Sequence, residues 1–318
     1  MSLQEPYHHL RKNMKKNKSV LVGWLALLVS IILFSTVEIV GKKINAKATI
    51  EPFTMVFLRF FLTGIVLTCL SLPGYFRRGH RLGWGDLKHF LVNGAVGIAV
   101  SISLFHAAIE MFTNASSSAV VFSANGVFTA VLARFMNNEP WSWRKWCAVI
   151  FGILGVSLFI RESGAPTRGA IYALLVMSLA ALCFSFSVCY ARRYGAKYGP
   201  MLFMGASSLI GGLLTLPLAW WRRAEDTCAE LGAVIPEMFY MVFICTTLAY
   251  YLFYIGIAKT TAFGASMSFF LKPVLACIFA WILLGEQMNA WTISGTAMIM
   301  VGMSFIINFK ALREAWRS

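Results

Sequence analysis

The chain has 318 residues, of which 58% are hydrophobic and only 13% are charged, and its formal net charge is +15. Ordinary soluble domains carry roughly 25% charged residues, so the composition argues against a soluble globular protein and favours a membrane protein. The positive excess fits loops that lie beside anionic lipid headgroups, and no basic patch lies on a soluble element large enough to bind nucleic acid.

Ten apolar stretches follow one another with short polar connections. We predict membrane-spanning helices at 20–42, 52–72, 90–111, 115–136, 145–161, 169–191, 200–221, 236–258, 262–284 and 290–309, between a basic tail at 1–19 and a second tail at 310–318. When these spans alternate across the bilayer, most Lys and Arg residues fall on one side, which predicts that both termini are cytoplasmic. Three lysines after the first span, Lys42, Lys43 and Lys47, run against this rule.

The two halves of the chain repeat each other. Residues 114–160 align without a gap on 261–307, at an offset of 147 residues, and this places Glu139 opposite Glu286. Because each half has an odd number of spans, the halves must be inverted relative to each other in the membrane. We therefore predict an all-α integral membrane protein with ten transmembrane helices, arranged as two inverted five-helix repeats (20–161 and 168–309) around a central cavity.

Three segments resemble the EamA domain of the drug/metabolite transporter superfamily. Residues 271–286 read L-K-P-V-L-A-x-x-F-A-W-I-L-L-G-E, residues 137–140 read N-N-E-P, and residues 52–59 read P-F-T-x-x-F-L-R. The resemblance covers nearly the whole chain as two repeats. It implies ten helices, a central cavity and transport of amino acids, metabolites, drugs or choline, so it does not identify the substrate. The chain departs from the motif at Asn138, which stands where the second repeat has Gly285, and at Lys272, where an apolar or small residue is common.

Lys272 is the most informative residue, because it lies in the middle of an apolar span. A charge at the centre of a membrane helix costs roughly 2.5–3.5 kcal/mol and needs a partner or a water-filled cavity. Gly264, Ser268, Ala276 and Ala280 share its helix face at intervals of four residues. We expect Lys272 to bind a substrate carboxylate or to take part in coupling. The alternative is a lysine paired with a carboxylate for structure alone.

Two further polar residues lie inside predicted spans. Asn125 aligns with Lys272 across the repeat, so we expect it to line the same site or to make an interhelical hydrogen bond. Glu38 is a candidate counter-ion for Lys272, a cation site or a proton carrier. It could instead pair with Lys42, four residues further along the helix.

Polar residues in other spans are further candidates for the site. His106 could titrate near a cavity or pair with Glu110, and Arg59 is expected to be a structural anchor. Tyr250 and Tyr254 share a face of the eighth span and could line the cavity. Ser178 and Ser185 could line the same space or bond to their own helix backbone.

The sequence contains no phosphate-binding loop, no catalytic constellation and no metal-ligand spacing, and its seven cysteines form no C-x-x-C motif. We therefore expect no enzyme activity and no cofactor. The expected function is secondary-active transport of a small anionic or zwitterionic, amino-acid-like metabolite by alternating access, with a proton as candidate co-substrate. Alternatives are a drug or quaternary-ammonium transporter, or a membrane scaffold or passive pore. We expect the protein in a bacterial inner (plasma) membrane, in contact with lipid, and a monomer is compatible with this architecture.

Overall fold

The computed structural model describes residues 21–79, 81–138, 142–158, 168–222, 227–259 and 271–306. These residues form helices and the connections between them, and none of them is in a β-strand. The first five helices are α1 (Leu21–Lys47), α2 (Pro52–Arg77), α3 (Trp84–Met111), α4 (Ala115–Met136) and α5 (Trp143–Leu158).

The second half of the chain follows the same order. It contains α6 (Arg168–Tyr194), α7 (Pro200–Arg222), α8 (Ile235–Phe239, Tyr240–Leu248 and Ala249–Lys259 in succession), α9 (Lys272–Leu284) and α10 (Ala290–Ile306). A short helix, Thr227–Ala233, precedes α8. Helix is thus present in each of the ten predicted ranges.

Seven of these helices, α1 to α4 and α6 to α8, are long and apolar enough to cross a membrane. The apolar stretches in α5, α9 and α10 are shorter, at 10–17 residues. The prediction of an all-helical membrane protein is confirmed, whereas ten crossings and the inverted repeat remain predictions. Many large apolar side chains point outward, including Leu175 and Ile153, each 63% exposed. Such a surface is what a lipid-facing bundle requires.

Several helices are irregular at positions that correspond between the two halves. Residues Gly94–Val100 of α3 and Tyr240–Leu248 of α8 are π-helical, and the two segments are 146 to 148 residues apart. The helical path of α4 is interrupted at Ala124 and resumes at Asn125, and α9 begins 147 residues after Asn125, at Lys272. Asn125 and Lys272 therefore each begin a helix inside the bundle. Irregular helices of this kind occur at functional sites.

Helices α2 and α7 pack closely because each has a glycine at the contact. A Cβ atom on Gly64 would overlap the backbone of Leu209, and one on Gly212 would lie 2.7 Å from the backbone nitrogen of Phe61. The two contacts are equivalent: adding 148 to the residue numbers of Phe61 and Gly64 gives Leu209 and Gly212. Small residues allow backbones to approach in this way in membrane bundles.

The bundle has two ends, which we name by an acidic residue at each. At the Glu286 end, Lys47 pairs with Glu237 at 2.5 Å and Arg222 with Glu51 at 3.5 Å. At the Asp86 end, Asp86 accepts hydrogen bonds from Lys197 at 2.5 Å and from the Tyr198 hydroxyl at 2.8 Å. These pairs connect neighbouring helices at both ends of the bundle.

Candidate functional site

Lys272 and Glu38 form a buried ion pair inside the bundle. The Lys272 Nζ atom donates to Glu38 Oε1 at 2.7 Å, and the two side chains are 7% and 0% exposed. The same Nζ atom lies 5.2 Å from the centre of the Phe122 ring, a favourable cation–π distance. Of the two partners considered for Glu38, the structure selects Lys272, while Lys42 donates to the backbone carbonyl of Phe112.

Breaks in α1 and at the start of α9 bring this pair together. The Ser35 and Thr36 residues form a turn within α1, and Ser35 Oγ donates to the carbonyl oxygens of Ile31 at 2.7 Å and Lys272 at 3.5 Å. Pro273, the second residue of α9, lacks an N–H group and is tolerated because the first N–H groups of a helix have no intrahelical acceptor.

Arg59 lies in the same interior with two neutral hydrogen-bond partners. Its Nε donates to Thr246 Oγ1 at 2.5 Å, and Nη1 lies 3.3 Å from His106 Nε2. Both Arg59 and His106 are only 4% exposed. A guanidinium group can only donate, so His106 Nε2 must accept and the imidazole must be neutral with its proton on Nδ1.

A short chain of contacts connects the two groups. Thr36, two residues before Glu38, has its Oγ1 atom 3.2 Å from Cys245 Sγ, and Cys245 precedes the Thr246 that holds Arg59. We call Glu38, Arg59, His106 and Lys272 the central charge cluster.

The central charge cluster lies deep in the bundle. At 1.5 Å per helical residue, Arg59 is about 10 Å, Glu38 about 14 Å and Lys272 about 18 Å from the Glu286 end of its helix. The hydrocarbon core of a bilayer is about 30 Å thick. The cluster therefore occupies the middle of the region that lipid would surround.

The positive charges in the cluster outnumber the negative ones. Arg59 and Lys272 are cationic, His106 is neutral, and Glu38 supplies one negative charge. The other acidic residues in the described part of the chain lie at helix ends or in connections: Glu51, Asp86, Glu110, Glu230, Glu237 and Glu286. An uncompensated charge in such surroundings is costly to the protein.

The remaining predicted residues fall into two places. The Tyr250 ring packs edge-on against Phe34, with centroids 4.9 Å apart. Asn125 Nδ2 instead donates to the Phe122 carbonyl at 2.8 Å, so Asn125 lies beyond the Phe122 residue that contacts Lys272. Ser185 Oγ donates to the Asn125 carbonyl at 2.8 Å.

The structure therefore brings Lys272, Glu38, His106 and Tyr250 together and places Asn125 with Ser185 next to them. Ser185 also donates to the carbonyl of Ala181 in its own helix, at 2.7 Å. The side chain of Tyr254 lies outside the described residues.

Two cavities flank the cluster, and none of its four residues lines either cavity. One, of about 490 Å³, lies between α2, α3 and α7, where Ser103, Glu110 and Leu214 are among its lining residues. The other, of about 280 Å³, lies between α4, α5 and α6, where Ala124 and Ser178 are among its lining residues. The four residues of the cluster are only 0–6% exposed, so in this conformation the cluster is enclosed by protein.

Two residues of the site were not singled out for this role by the sequence. Arg59 was expected to be a structural anchor, and Thr246 lies in the π-helical segment of α8, where its hydroxyl donates to Met241 O at 2.7 Å. The signal available for Arg59 was the one used for Lys272, a charge inside an apolar span. No sequence signal identifies Thr246 as its partner.

Glu286 has a structural role that its motif did not reveal. Its Oε1 accepts the Ala115 N–H at 2.6 Å, and its Oε2 accepts the N–H of Ser116 at 3.1 Å and the hydroxyl of Ser116 at 2.8 Å. The carboxylate thus caps the first turn of α4, where Asn114 at the N-cap position makes no capping bond with its side chain. Negative charge is favourable at a helix N-terminus.

Metal binding finds no support in the described segments, where no three His, Cys, Asp or Glu side chains lie close enough together to hold an ion.

Known proteins resemble this chain along most of its length. An uncharacterized transporter of Clostridium kluyveri is 26% identical over 299 residues, which cover 92% of this chain and 94% of the relative. An S-adenosylmethionine uptake transporter of Rickettsia prowazekii is 22% identical over 293 residues, covering 91% and 94%. A protein crystal structure with 16% identity has the same fold, with a TM-score of 0.62 and coverage of 91% of this chain and 95% of that one.

The family comparison identifies the kind of protein. The model of the EamA-like transporter family matches residues 21–161 and again residues 171–308. A charged cluster enclosed by helices that can cross a membrane is the feature that a solute-handling protein needs. The chain belongs to the EamA-like transporter family and is a multi-pass membrane transporter.

Proposed function

We propose that the protein is a secondary-active transporter that moves a small anionic or zwitterionic metabolite by alternating access. The central charge cluster is its transport site. The observation that carries this proposal is the excess positive charge of Arg59 and Lys272 over Glu38, enclosed near the middle of the bundle. An anionic substrate would compensate that excess, and the resulting gain favours binding at this depth.

The correspondence between the two halves supports alternating access. Asn125 and Lys272 each begin a helix inside the bundle, and Gly64 and Gly212 make equivalent contacts between α2 and α7. Two inverted halves related by a pseudo-two-fold axis in the membrane plane can exchange conformations. The site then opens first to one side of the membrane and then to the other. In this proposal the Asp86 end and both termini face the cytoplasm of a bacterial cell.

A proton is the coupling ion that the cluster favours. Glu38 is the carboxylate enclosed in it, and Lys272 is its ion-pair partner. If Lys272 moves away during the transport cycle, a carboxylate left in apolar surroundings gains by binding a proton. Collapse of an imposed pH gradient should therefore slow uptake by the wild type, whereas the residual uptake by Glu38→Gln should be insensitive to the gradient. Equal sensitivity of both proteins would exclude Glu38 as the proton carrier.

A second candidate substrate is suggested by a relative. S-adenosylmethionine, named for the Rickettsia prowazekii transporter, has an α-amino acid group at one end and a sulfonium cation. Its amino acid group offers the same charges as a free amino acid, and the Tyr250 ring, which packs against Phe34, offers an aromatic face. The two substrates can be compared in one assay, because both compete for the same cluster in this proposal.

Uptake into proteoliposomes tests the proposed function. Purified wild-type protein should accumulate labelled amino acids or S-adenosylmethionine above the level of empty liposomes. Lys272→Ala should abolish uptake while the protein still inserts and elutes as a single species, and Lys47→Ala, a change of an exposed lysine at the Glu286 end, should retain it. Wild-type rates for Lys272→Ala would refute the assignment of the transport site. Aggregation of that variant alone would indicate a structural role for the pair.

A further inference from the structure

We propose that Arg59, and not Lys272, is the residue that binds the substrate carboxylate, and that Oε2 of Glu38 binds the substrate ammonium group. The ligand class is a molecule with a free α-amino acid group. This inference rests on the proposed transport function and assigns the contacts within the same site.

Arg59 has N–H groups that make no hydrogen bond to the described residues. A guanidinium group has five N–H donors, and the hydrogen bonds made by Arg59 within the described residues are those to Thr246 and His106. Three N–H groups are left in a planar fork that is 4% exposed. This fork matches the two oxygens of a carboxylate, and an unpaired buried donor is costly to the free protein.

The two partners of Arg59 orient it without neutralising it. The Thr246 hydroxyl donates its own proton to the Met241 carbonyl, so it presents a lone pair to Arg59 Nε. His106 must likewise present an unprotonated nitrogen. Both are positioning residues, because they fix the plane of the guanidinium group and leave its charge available.

The ammonium group of Lys272 is already paired with a carboxylate of the protein. It donates to Glu38 Oε1, whereas Glu38 Oε2 has no hydrogen-bond partner although the side chain is fully buried. A buried carboxylate oxygen without a donor is rare and calls for a ligand. The contact between Thr36 and Cys245 and the hydrogen bond between Thr246 and Arg59 bring the two groups into one region, so one molecule with adjacent carboxylate and ammonium groups can engage both.

The test measures binding by thermal shift with the purified full-length protein in detergent. The probes are the twenty proteinogenic L-amino acids and S-adenosylmethionine, followed by the carboxamide and the N-acetyl derivative of the amino acid that stabilises the wild type most. We expect each derivative to bind about 30-fold more weakly or worse, because each leaves one buried charge without its partner. Arg59→Gln should lose the same factor for the parent amino acid.

Two variants make the result specific. Arg59→Lys keeps the charge but loses the planar fork, so its affinity should fall between those of the wild type and Arg59→Gln. Arg222→Gln removes a half-exposed arginine at the rim and should bind like the wild type. If Arg59→Gln does not fold, the affinity of Arg59→Lys relative to the wild type decides the question.

Three outcomes would overturn the inference. They are stabilisation by none of the probes, equal binding of the carboxamide, and unchanged affinity of a folded Arg59→Gln. Transport of another solute by the same preparation would then leave the proposed function in place. If the wild type binds the amino acid but does not transport it, the proposed function is wrong and the binding assignment stands.

Discussion

Replacing Glu286 by Gln should destabilise the protein by about 2–4 kcal/mol. The carboxylate accepts three hydrogen bonds at the start of α4, from two backbone N–H groups and one hydroxyl. An amide keeps one acceptor oxygen and turns an NH₂ group towards an N–H donor, which leaves a donor unsatisfied at a cost of about 1–3 kcal/mol. It also removes a charge that the helix N-terminus stabilises by about 0.3–2 kcal/mol.

This loss can be read from the melting temperature in detergent. With the per-residue unfolding entropy typical of globular proteins, 2–4 kcal/mol corresponds to a decrease of about 3–6 °C for a chain of this length. The matched control is Glu110→Gln, which removes an exposed carboxylate at the same end of the bundle and should change the melting temperature by less than about 1 °C. Equal shifts for the two variants would refute the capping role of Glu286.

Three further predictions follow from the architecture. In a cysteine-free background, an impermeant thiol reagent added outside cells should label Gln287→Cys and not Asn138→Cys; equal labelling would refute the inverted repeat. Gly64→Ala should destabilise the protein by about 1–3 kcal/mol through overlap with α7, whereas Gly74→Ala, which meets open space in the same helix, should be neutral or stabilising. Burial and the hydrogen bond to Asp86 raise the pKa of Tyr198 to about 12. The extra thermal stability of the wild type over Tyr198→Phe should be complete below pH 10 and disappear towards pH 12; a gap that is constant with pH would contradict this.

Much of the fold could be predicted from apolar runs and turn residues. The predicted range 115–136 coincides with α4, and the range 52–72 falls short of the end of α2 at Arg77. The π-helical segment Tyr240–Leu248 could not be predicted, because its hydroxyl-to-carbonyl bonds compete with the ordinary helical pattern only once the helix is packed. Helix periodicity cannot show such local changes.

The candidate site could be predicted only in part. The sequence offered Lys272 and Lys42 as two possible partners for Glu38, and the distance of 2.7 Å between Lys272 and Glu38 decides between them. The bonds of Arg59 to residues 47 and 187 positions away depend on how α2 packs against α3 and α8. Glu286 and Ala115 are likewise 171 positions apart. A single sequence carries no distance information of this kind.

Counterflow is the most direct test of the central claim that the protein is an alternating-access carrier. Proteoliposomes are loaded with an unlabelled amino acid or S-adenosylmethionine and diluted into a trace of the labelled compound. The account predicts a transient accumulation of label above its equilibrium level with the wild type, and none with Lys272→Ala. Simple equilibration of label without an overshoot by the wild type would show a passive pore and contradict the account.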